Sequence, residues 1–388
     1  MIDAVNGLTS RWAGTLKGGT VFSAAGVWPL LAFLADGAAG RAREELAEAL
    51  GVPAGRAAAA ARELLTVLGA VDGLDSALGL WSKRSVELRP EWAAGLPAQA
   101  HGVLTGDLDA DHAALDAWAA RRTGGAIARM PVTLRPDSSL VLATALTVRT
   151  EWEVPFQGDL VPWADQDRAG LSRTDSDLDG VAVARTAAGA VTEARVRGTG
   201  GVDVHLLLGD EELTPGQVLG AGVGILSRAV PAVPGSRLPL GAVGPGLRIE
   251  TVRTERPEPP SLTLNTVEFA LAAEHDLLAH PELFGLATAS DRTPGHFPGI
   301  GAGPLGLAEG RQSATAVFGA QGFRAAAVTA FAMDWLGWEP EPEHESTRAY
   351  ATFDRPFGFL AVHRDTRLVL AAGWVTDPEP FREDDLPR

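Results

Sequence analysis

Apolar side chains recur every three to four residues through the first hundred residues, the spacing of helices that pack one face on a core. The segments with this pattern are residues 4–16, 27–34, 41–50 and 57–68. Gly37 and Gly51 follow two of these segments, where a glycine commonly ends a helix. A further helix is predicted over residues 114–121, ending near Gly124 and Gly125. The N-terminal part of the chain is therefore predicted to be mostly helical.

Strand patterns dominate after residue 181, and a few come earlier. Residues 78–81 form a short apolar run, and residues 140–148 (LVLATALTV) are nearly all apolar, which suits a strand buried on both faces. Further strands are predicted at residues 202–208, 262–271 and 314–318. Two apolar runs at 357–362 and 368–375, joined by five polar residues, predict a hairpin.

The Gly- and Pro-rich stretches at 231–246 and 295–306 are interpreted as loops, because neither separates two self-sufficient cores. Helices followed by many strands predict an α+β fold, and we expect a single domain over residues 1–388.

One segment fits neither helix nor strand alone. Residues 321–333 (QGFRAAAVTAFAM) contain five alanines, which favour a helix, yet their side chains alternate as in a strand. The next residues (WLGWEPEPEHEST) combine two prolines with four glutamates and are unsuited to a core. The sequence thus predicts a conformationally ambiguous segment followed by an exposed acidic loop.

Composition excludes several classes of function. The 388 residues carry a formal net charge of −16, so nucleic acid and anionic membrane surfaces should be repelled. The chain has no cysteine, which excludes disulfides, thiolate catalysis and cysteine-based metal sites. The longest apolar run, residues 21–35, is too short to span a bilayer, and the N-terminus lacks the pattern of a signal peptide. We therefore expect a cytoplasmic protein with no membrane or nucleic-acid partner.

Two short motifs resemble binding sites only in part. Residues 175–180 (DSDLDG) match the first half of a calcium loop, but position twelve is Thr186 instead of a bidentate glutamate, so an acidic hairpin turn is favoured. Gly301, Gly303 and Gly306 fit a dinucleotide-binding spacing, but Pro304 lies inside it and no helix follows, so a loop is favoured.

The histidines give no metal or catalytic signature. His275 and His280 are five residues apart and do not share a helical face, and His205 lies in an apolar strand as a core histidine would. No nucleophile elbow or P-loop is present, although a triad built from distant residues stays open because triads are spatial. We expect no cofactor and no metal.

Several segments, in order along nearly the whole chain, resemble the serpins. They are residues 22–51 (FSAAGVWPLLAFLADGAAGRAREELAEALG), 118–127 (WAARRTGGAI), 140–156 (LVLATALTVRTEWEVPF), 296–300 (HFPGI) and 353–378 (FDRPFGFLAVHRDTRLVLAAGWVTDP). The chain is identified on this resemblance as a member of the serpin family, of bacterial type. The resemblance implies helices packed on a central mixed sheet, two further sheets and an exposed reactive-centre loop at about 320–352, with 140–148 and 314–318 neighbouring each other in the central sheet.

The serpin resemblance also implies a mechanism and a hinge. A protease attacks the loop and forms an acyl-enzyme, and the cleaved loop then inserts into the central sheet as a new strand and distorts the protease. The hinge residues are Gly322, Phe323, Arg324, Ala325, Ala326, Ala327, Val328 and Thr329. Phe323 stands where the family has a small threonine and Arg324 where it has a glutamate. Phe323 would enter the sheet first, at a cost of roughly 1–3 kcal/mol of overpacking, and slow insertion.

By the same resemblance, a polar cluster under the sheet controls its opening. Ser23 is retained, whereas Gly26 replaces a second serine, Thr144 an asparagine and Gln312 a histidine. Trp152, expected under the top of the sheet, is also kept.

Counting from the hinge glycine puts the reactive bond between Leu336 and Gly337. A large apolar residue there fits a chymotrypsin-like or subtilisin-like protease with a hydrophobic specificity pocket. We therefore expect a monomeric, non-catalytic inhibitor of a serine protease, or of a cysteine protease. The alternative is a non-inhibitory serpin-fold protein that acts as a binding or structural module.

Overall fold

The computed structural model describes residues 1–98, 100–163, 166–291, 295–323 and 344–380. The α-helices within these ranges are α1 (Ile2–Ala13), α2 (Ala24–Gly37), α3 (Gly40–Leu50), α4 (Ala54–Gly69), α5 (Pro90–Gly95), α6 (Leu108–Arg122), α7 (Pro215–Leu226) and α8 (Pro281–Phe284). The four helices predicted in the N-terminal part correspond to α1–α4. The helix predicted at 114–121 begins earlier, because the Asp107 side chain accepts a hydrogen bond from Ala110 N and caps α6.

Gly37 and Gly51 end their helices differently. Gly51 has a left-handed backbone (φ 66°) and caps α3, as predicted. Gly37, however, is the last residue of α2, and the cap is Ala38 with an extended backbone. Glycine is needed at position 37 for space, because a Cβ there would lie 2.3 Å from Ile300 Cγ1.

The central sheet has five strands in the order β15 (Phe269–Asp276), β16 (Leu307–Phe318), β4 (Leu140–Val148), β2 (Leu74–Lys83) and β3 (His101–Leu104). β16 runs parallel to β4 and β2 runs parallel to β3, while the other neighbours are antiparallel, so the sheet is mixed as expected. Every residue of β4 is buried, because one face packs on the main core around α2 and the other on a smaller cluster with α6.

A second sheet has seven antiparallel strands. Their order is β1 (Thr20–Phe22), β20 (Leu368–Val375), β19 (Phe357–His363), β10 (Val202–Gly209), β9 (Ala190–Val196), β8 (Val181–Arg185) and β11 (Ala232–Pro234). β19 and β20 form the hairpin that the C-terminal pattern predicts.

A third sheet has six strands. Their order is β12 (Gly241–Gly244), β13 (Leu247–Thr254), β18 (His344–Thr352), β14 (Ser261–Val267), β7 (Gln166–Asp175) and β6 (Gln157–Trp163). Two short strands, β17 (Gly322–Phe323) and β5 (Thr150–Glu151), pair separately. Thus the described residues contain the central sheet and the two further sheets that were expected.

Several predicted boundaries are wrong. The strand predicted at 262–271 is two strands in different sheets, β14 and β15. They separate at Glu268, and the N–H of Glu268 donates to Ala169 O. The loop predicted at 231–246 contains β11 and β12, and the reactive-centre loop predicted at 320–352 is too long, because 344–352 is β18. Tertiary pairing decided these elements, and their Gly-, Pro- and Glu-rich sequences gave no strand signal.

The acidic segment 175–180 is also not a hairpin turn. It joins β7 to β8, which belong to different sheets. Its carboxylates accept hydrogen bonds from the backbone: Asp175 from Asp177 N, Asp177 from Asp179 N, and Asp179 from Ser236 N. These carboxylates therefore fix the backbone of the connection.

Candidate functional site in the central sheet

The two parallel strands at the middle of the central sheet are joined by a side-chain hydrogen bond as well as by their backbones. Gln312 on β16 lies opposite Thr144 on β4, and Gln312 Nε2 donates to Thr144 Oγ1 at 3.1 Å. Both residues have no exposed surface. Any strand that entered between β4 and β16 would have to break this bond.

Gln312 also ties the sheet to the N-terminus of α2. Its Oε1 accepts from Ser23 N and its Nε2 donates to Ser23 O, both at 2.8 Å. The Ser23 hydroxyl donates to Leu370 O on β20 at 2.6 Å and accepts from Gly26 N at 3.0 Å, capping the helix. One amide side chain thus couples β4, β16 and α2, and Ser23 extends the network to β20.

Gly26 supplies the space that this arrangement needs. A Cβ at position 26 would lie 3.3 Å from Gln312 Nε2 and 3.5 Å from Ser23 Oγ. The four residues named from the sequence for this cluster, Ser23, Gly26, Thr144 and Gln312, are therefore brought together.

Trp152 lies at one end of the seam between β4 and β16, away from this cluster. It is 3% exposed, and its indole Nε1 donates to Gly319 O at 2.9 Å. Its backbone N donates to Gln321 O at 3.0 Å, and its ring lies 4.9 Å from that of Phe318. Trp152 thereby fastens the turn that follows β16 to the chain that follows β4.

The first two hinge residues form part of the core. Gly322 and Phe323 (β17) pair antiparallel with Glu151 and Thr150 (β5). A Cβ on Gly322 would lie 2.3 Å from Thr150 O, so only glycine fits there.

The Phe323 side chain is fully buried, with its ring 5.7 Å from that of Phe359 and 6.5 Å from that of Phe318. The serpin resemblance implied that Phe323 would enter the sheet first on insertion, and in this structure its side chain already lies in the core.

The remaining predicted site residues lie outside the described residues. They are the hinge residues Arg324, Ala325, Ala326, Ala327, Val328 and Thr329 and the proposed reactive bond Leu336–Gly337.

Sequence reasoning missed the role of His275, which faces Gln312 across the β15–β16 pair. Its Nε2 donates to Val21 O at 2.8 Å, and its ring lies edge-on to Trp12 at 5.1 Å. Burial lowers the pKa of His275 below its ordinary value, an effect that the bond to Val21 O opposes and the nearby His280 reinforces. Because Val21 lies 254 positions from His275, and Trp12 lies further still, the sequence alone could not reveal these contacts.

His205, predicted to be a core histidine, is 8% exposed, and its Nδ1 lies 2.6 Å from Glu193 Oε1. Its hydrogen bond with a neighbouring strand confirms the prediction.

Comparisons with known proteins agree with this arrangement. The family model "Serpin (serine protease inhibitor)" matches residues 9–161. A rice (Oryza sativa subsp. japonica) protein named serpin-Z6C is 24% identical, over 93% of this chain and 91% of its own length.

Solved structures resemble the whole described fold. Human thyroxine-binding globulin complexed with thyroxine superposes with a TM-score of 0.72 at 16% identity, covering 97% of each chain. Tengpin, a thermophilic serpin in its native state, gives 0.72 at 13% identity over 97% of this chain and 93% of its own. Native protease nexin-1 with heparin gives 0.69 at 16% identity over 97% of each chain.

The chain has the serpin fold. The family model that matches residues 9–161 is that of the serpins, and the similar structures show the fold alone. Serpins are in general non-catalytic inhibitors or binding proteins, and the family as a whole is associated with protease inhibition. The named curated relative comes from rice, which gives no support to the bacterial type.

Among the helices of the described residues, none combines the length and the apolar character needed to cross a membrane.

A matched pair of threonines tests the bond across the seam. Thr144→Val removes the acceptor of Gln312 Nε2 and should lower the free energy of unfolding by about 1–2 kcal/mol, because a buried N–H loses its partner. Thr147→Val, on the same strand, removes a buried hydroxyl without a hydrogen-bond partner among the described residues, and should leave stability unchanged or higher. Urea unfolding of both variants measures the difference, and equal effects would contradict the role given to Thr144.

His275 should make stability depend on pH. Because the folded state lowers the pKa of His275, the unfolded chain binds the proton more readily once the pH falls below about 6.5. Stability is therefore full above that pH and declines as the pH falls towards the lowered pKa. Urea unfolding of the wild type and of His275→Gln between pH 7.5 and 5 should show a shallower decline in the variant. If stability declines with falling pH equally in the wild type and the variant, His275 is not the cause of the decline.

Proposed function

We propose that this protein is a serpin-type inhibitor of a serine protease, or of a cysteine protease, that traps its target by inserting a cleaved segment between β4 and β16. The observation that carries the proposal is the pairing of β17. β17 runs antiparallel to β5, and β5 directly follows β4 in the chain. The first residue pairs of an inserted strand are therefore already formed. Continued in the same direction, this ladder would pass along β4.

The energetics favour insertion once the seam opens. β4 and β16 are parallel, so a strand between them that continues β17 is antiparallel to both. One parallel ladder would be exchanged for two antiparallel ladders, which are slightly more stable per residue. With a net 0.5–1.5 kcal/mol per hydrogen bond, about ten inserted residues would release on the order of 5–15 kcal/mol. That gain exceeds the cost of breaking the Gln312–Thr144 bond.

The chemistry would be that of an interrupted hydrolysis. The protease's nucleophilic oxygen or sulfur attacks the carbonyl carbon of Leu336, the bond to Gly337 N breaks, and the new amine takes up the proton held by the protease's general base. An acyl-enzyme then links the protease to Leu336. Insertion must move the linked protease before water reaches that bond, so the rate of insertion decides between trapping and simple cleavage.

The residue before the bond defines the class of target. Leu336 is large and apolar and suits a hydrophobic specificity pocket of the chymotrypsin-like or subtilisin-like kind. A trypsin-like pocket requires arginine or lysine, and the next arginine along the chain, Arg348, belongs to β18 and donates to Glu258 at 2.9 Å.

A non-inhibitory serpin-fold protein is the second candidate, and Phe323 favours it. The family's small hinge residue would slide between strands, whereas the Phe323 ring sits in the core against Phe359 and Phe318 before any cleavage. Slow release of this ring would turn an inhibitor into a substrate. Thyroxine-binding globulin, complexed with thyroxine, is an example of a serpin-like structure that carries a ligand.

The single domain over residues 1–388, the monomeric state, the cytoplasmic location and the bacterial type stay predictions from the sequence.

Incubation with proteases tests the proposal directly. With chymotrypsin or subtilisin we expect a complex that survives denaturing electrophoresis, a released peptide beginning near Gly337, and a large gain in heat stability of the cleaved protein. Trypsin serves as the control, because its specificity pocket requires arginine or lysine and does not fit Leu336. Cleavage without any complex, at every ratio and without a gain in heat stability, would favour the binding or structural module.

Substitution of Phe323 tests what limits insertion. Phe323→Thr should raise the proportion of protease trapped, because a small residue opposite Thr150 lets the following chain turn into the space between β4 and β16 without displacing a ring packed against Phe318 and Phe359. It should also lower the stability of the uncleaved protein by about 3–5 kcal/mol, as for other deletions of a buried ring.

Phe284→Thr, at an equally buried phenylalanine in α8, controls for this loss of stability and should leave the trapped proportion unchanged. If both variants alter trapping alike, general destabilisation is responsible and the hinge is not.

A further inference from the structure

β18, the strand that follows residues 324–343, is an interior strand of the six-stranded sheet. It pairs antiparallel with β13 at eight positions, from Leu247 opposite Ala351 to Thr254 opposite His344. On its other side it pairs parallel with β14 at five positions, beginning with Ser261 opposite Arg348. The first four residues of β18 therefore have a strand partner on the β13 side alone, and without β13 the strand would form the edge of the sheet.

The connection between these two partners crosses over β18. β13 and β14 are consecutive in the chain but lie on opposite sides of β18, so residues 255–260 must pass across it. These residues read ERPEPP, and three prolines restrict their backbone. The crossing also contacts β18: Ser346 Oγ donates to Pro259 O at 3.1 Å, and Arg348 Nη2 donates to Glu258 Oε2 at 2.9 Å.

Charge and burial reinforce this enclosure. The register sets Glu250 opposite Arg348 and Arg253 opposite Glu345, which are oppositely charged neighbours. Ser346 is 4% exposed, although it lies only three residues after the last residue outside the described range. His344 and Glu345 are exposed, so burial of the strand begins at its third residue.

We propose that β13, residues 255–260 and β14 form a clip that holds β18 in place, so that the chain beyond residue 343 cannot follow an intact segment into the central sheet. The proposal rests on the proposed function. Continuing the β17–β5 register would place residue 333 opposite Leu140, at the far end of β4. Only ten residues would then be left before His344, with a full reach of about 35 Å, against the roughly 30 Å that β4 spans. An intact segment would be pulled taut against the clip, whereas a cleaved one would be free.

Two neighbouring proline variants test the clip. Thr352 N donates to Gly246 O, so the even-numbered residues of β13 direct their N–H groups to β18 and the odd-numbered ones direct theirs away. Val252→Pro removes a bond to β18. Thr251→Pro is the control. The N–H of Thr251 points away from β18, toward the side of β13 on which β12 pairs only with residues 247–249 among the described residues.

Each intact protein is incubated below its unfolding temperature, and heat stability is followed while intact mass confirms that no bond is cut. We expect the wild type and Thr251→Pro to keep their original heat stability, and Val252→Pro to convert at least tenfold faster to a more heat-stable uncleaved form. Conversion of the wild type at the same rate as Val252→Pro, or no difference between the two proline variants, would overturn the proposal.

A disulfide provides a rescue. Thr251 and Thr347 are directly opposed at a non-hydrogen-bonded position, where Cα atoms lie about 4.5 Å apart, within the range of a disulfide. Because the chain has no cysteine, Thr251→Cys with Thr347→Cys can form only this bond within one molecule. Added to Val252→Pro, it should abolish conversion when oxidised and permit it when reduced. Conversion at the same rate in the oxidised and the reduced protein would contradict the clip.

Failure of the clip and failure of the proposed function give different results. If the cleaved wild type gains no heat stability, the proposed function fails. If it gains heat stability but Val252→Pro does not convert while intact, only the clip fails. Should Val252→Pro not fold, hydrogen exchange on the wild type decides: amides of β18 that exchange as slowly as those of β14 support the clip, and exchange at the rate of edge strand β12 overturns it.

Discussion

The hydrogen bonds of the Gln312 side chain are the constraint on which the central sheet depends. β4 and β16 meet as a parallel pair, and Gln312 joins them to each other and to the capped start of α2. Because Ser23 also bonds β20, separating the two strands would disturb the second sheet as well. The seam is therefore closed by a buried amide that has several partners, and such a group resists opening until the energy gained elsewhere exceeds the cost of leaving it unpaired.

The middle of the seam and its end near Trp152 differ in character. The polar cluster lies at the middle of β4, whereas the end near Trp152 is aromatic, with Phe318 and Phe323 packed against the same core. Phe323 belongs both to this core and to the hinge that the sequence indicates. Under the proposed function, this one side chain would contribute both to the stability of the uncleaved molecule and to the ease of insertion, and its replacement would change the two in opposite directions.

The sequence predicted the fold well where one interaction decides the local structure. The apolar stripe over residues 41–50 predicted α3, and the nearly all-apolar run at 140–148 predicted β4 with its bounds, because burial determines both elements. It failed where pairing between strands decides: β13 and β18 are rich in Glu, Arg and Thr, and they are strands because they pair with each other and with β12 and β14. For the candidate site, the resemblance to serpins located Ser23, Thr144 and Gln312, but the spacing of residues nearly three hundred positions apart could not reveal their bonds, nor the proximity of His275.

The crossing of β18 by residues 255–260 also bears on the order in which the molecule can be assembled. β13 and β14 are synthesised about ninety residues before β18, so this part of the sheet cannot reach its final strand order until the later strand takes its place between them. The second sheet imposes the same delay, since β1 near the start of the chain pairs with β20 near its end. Sequence separations of this size make folding slow and leave unpaired strand edges exposed during synthesis. A newly made chain would thus depend on its last strands to complete two of its three sheets.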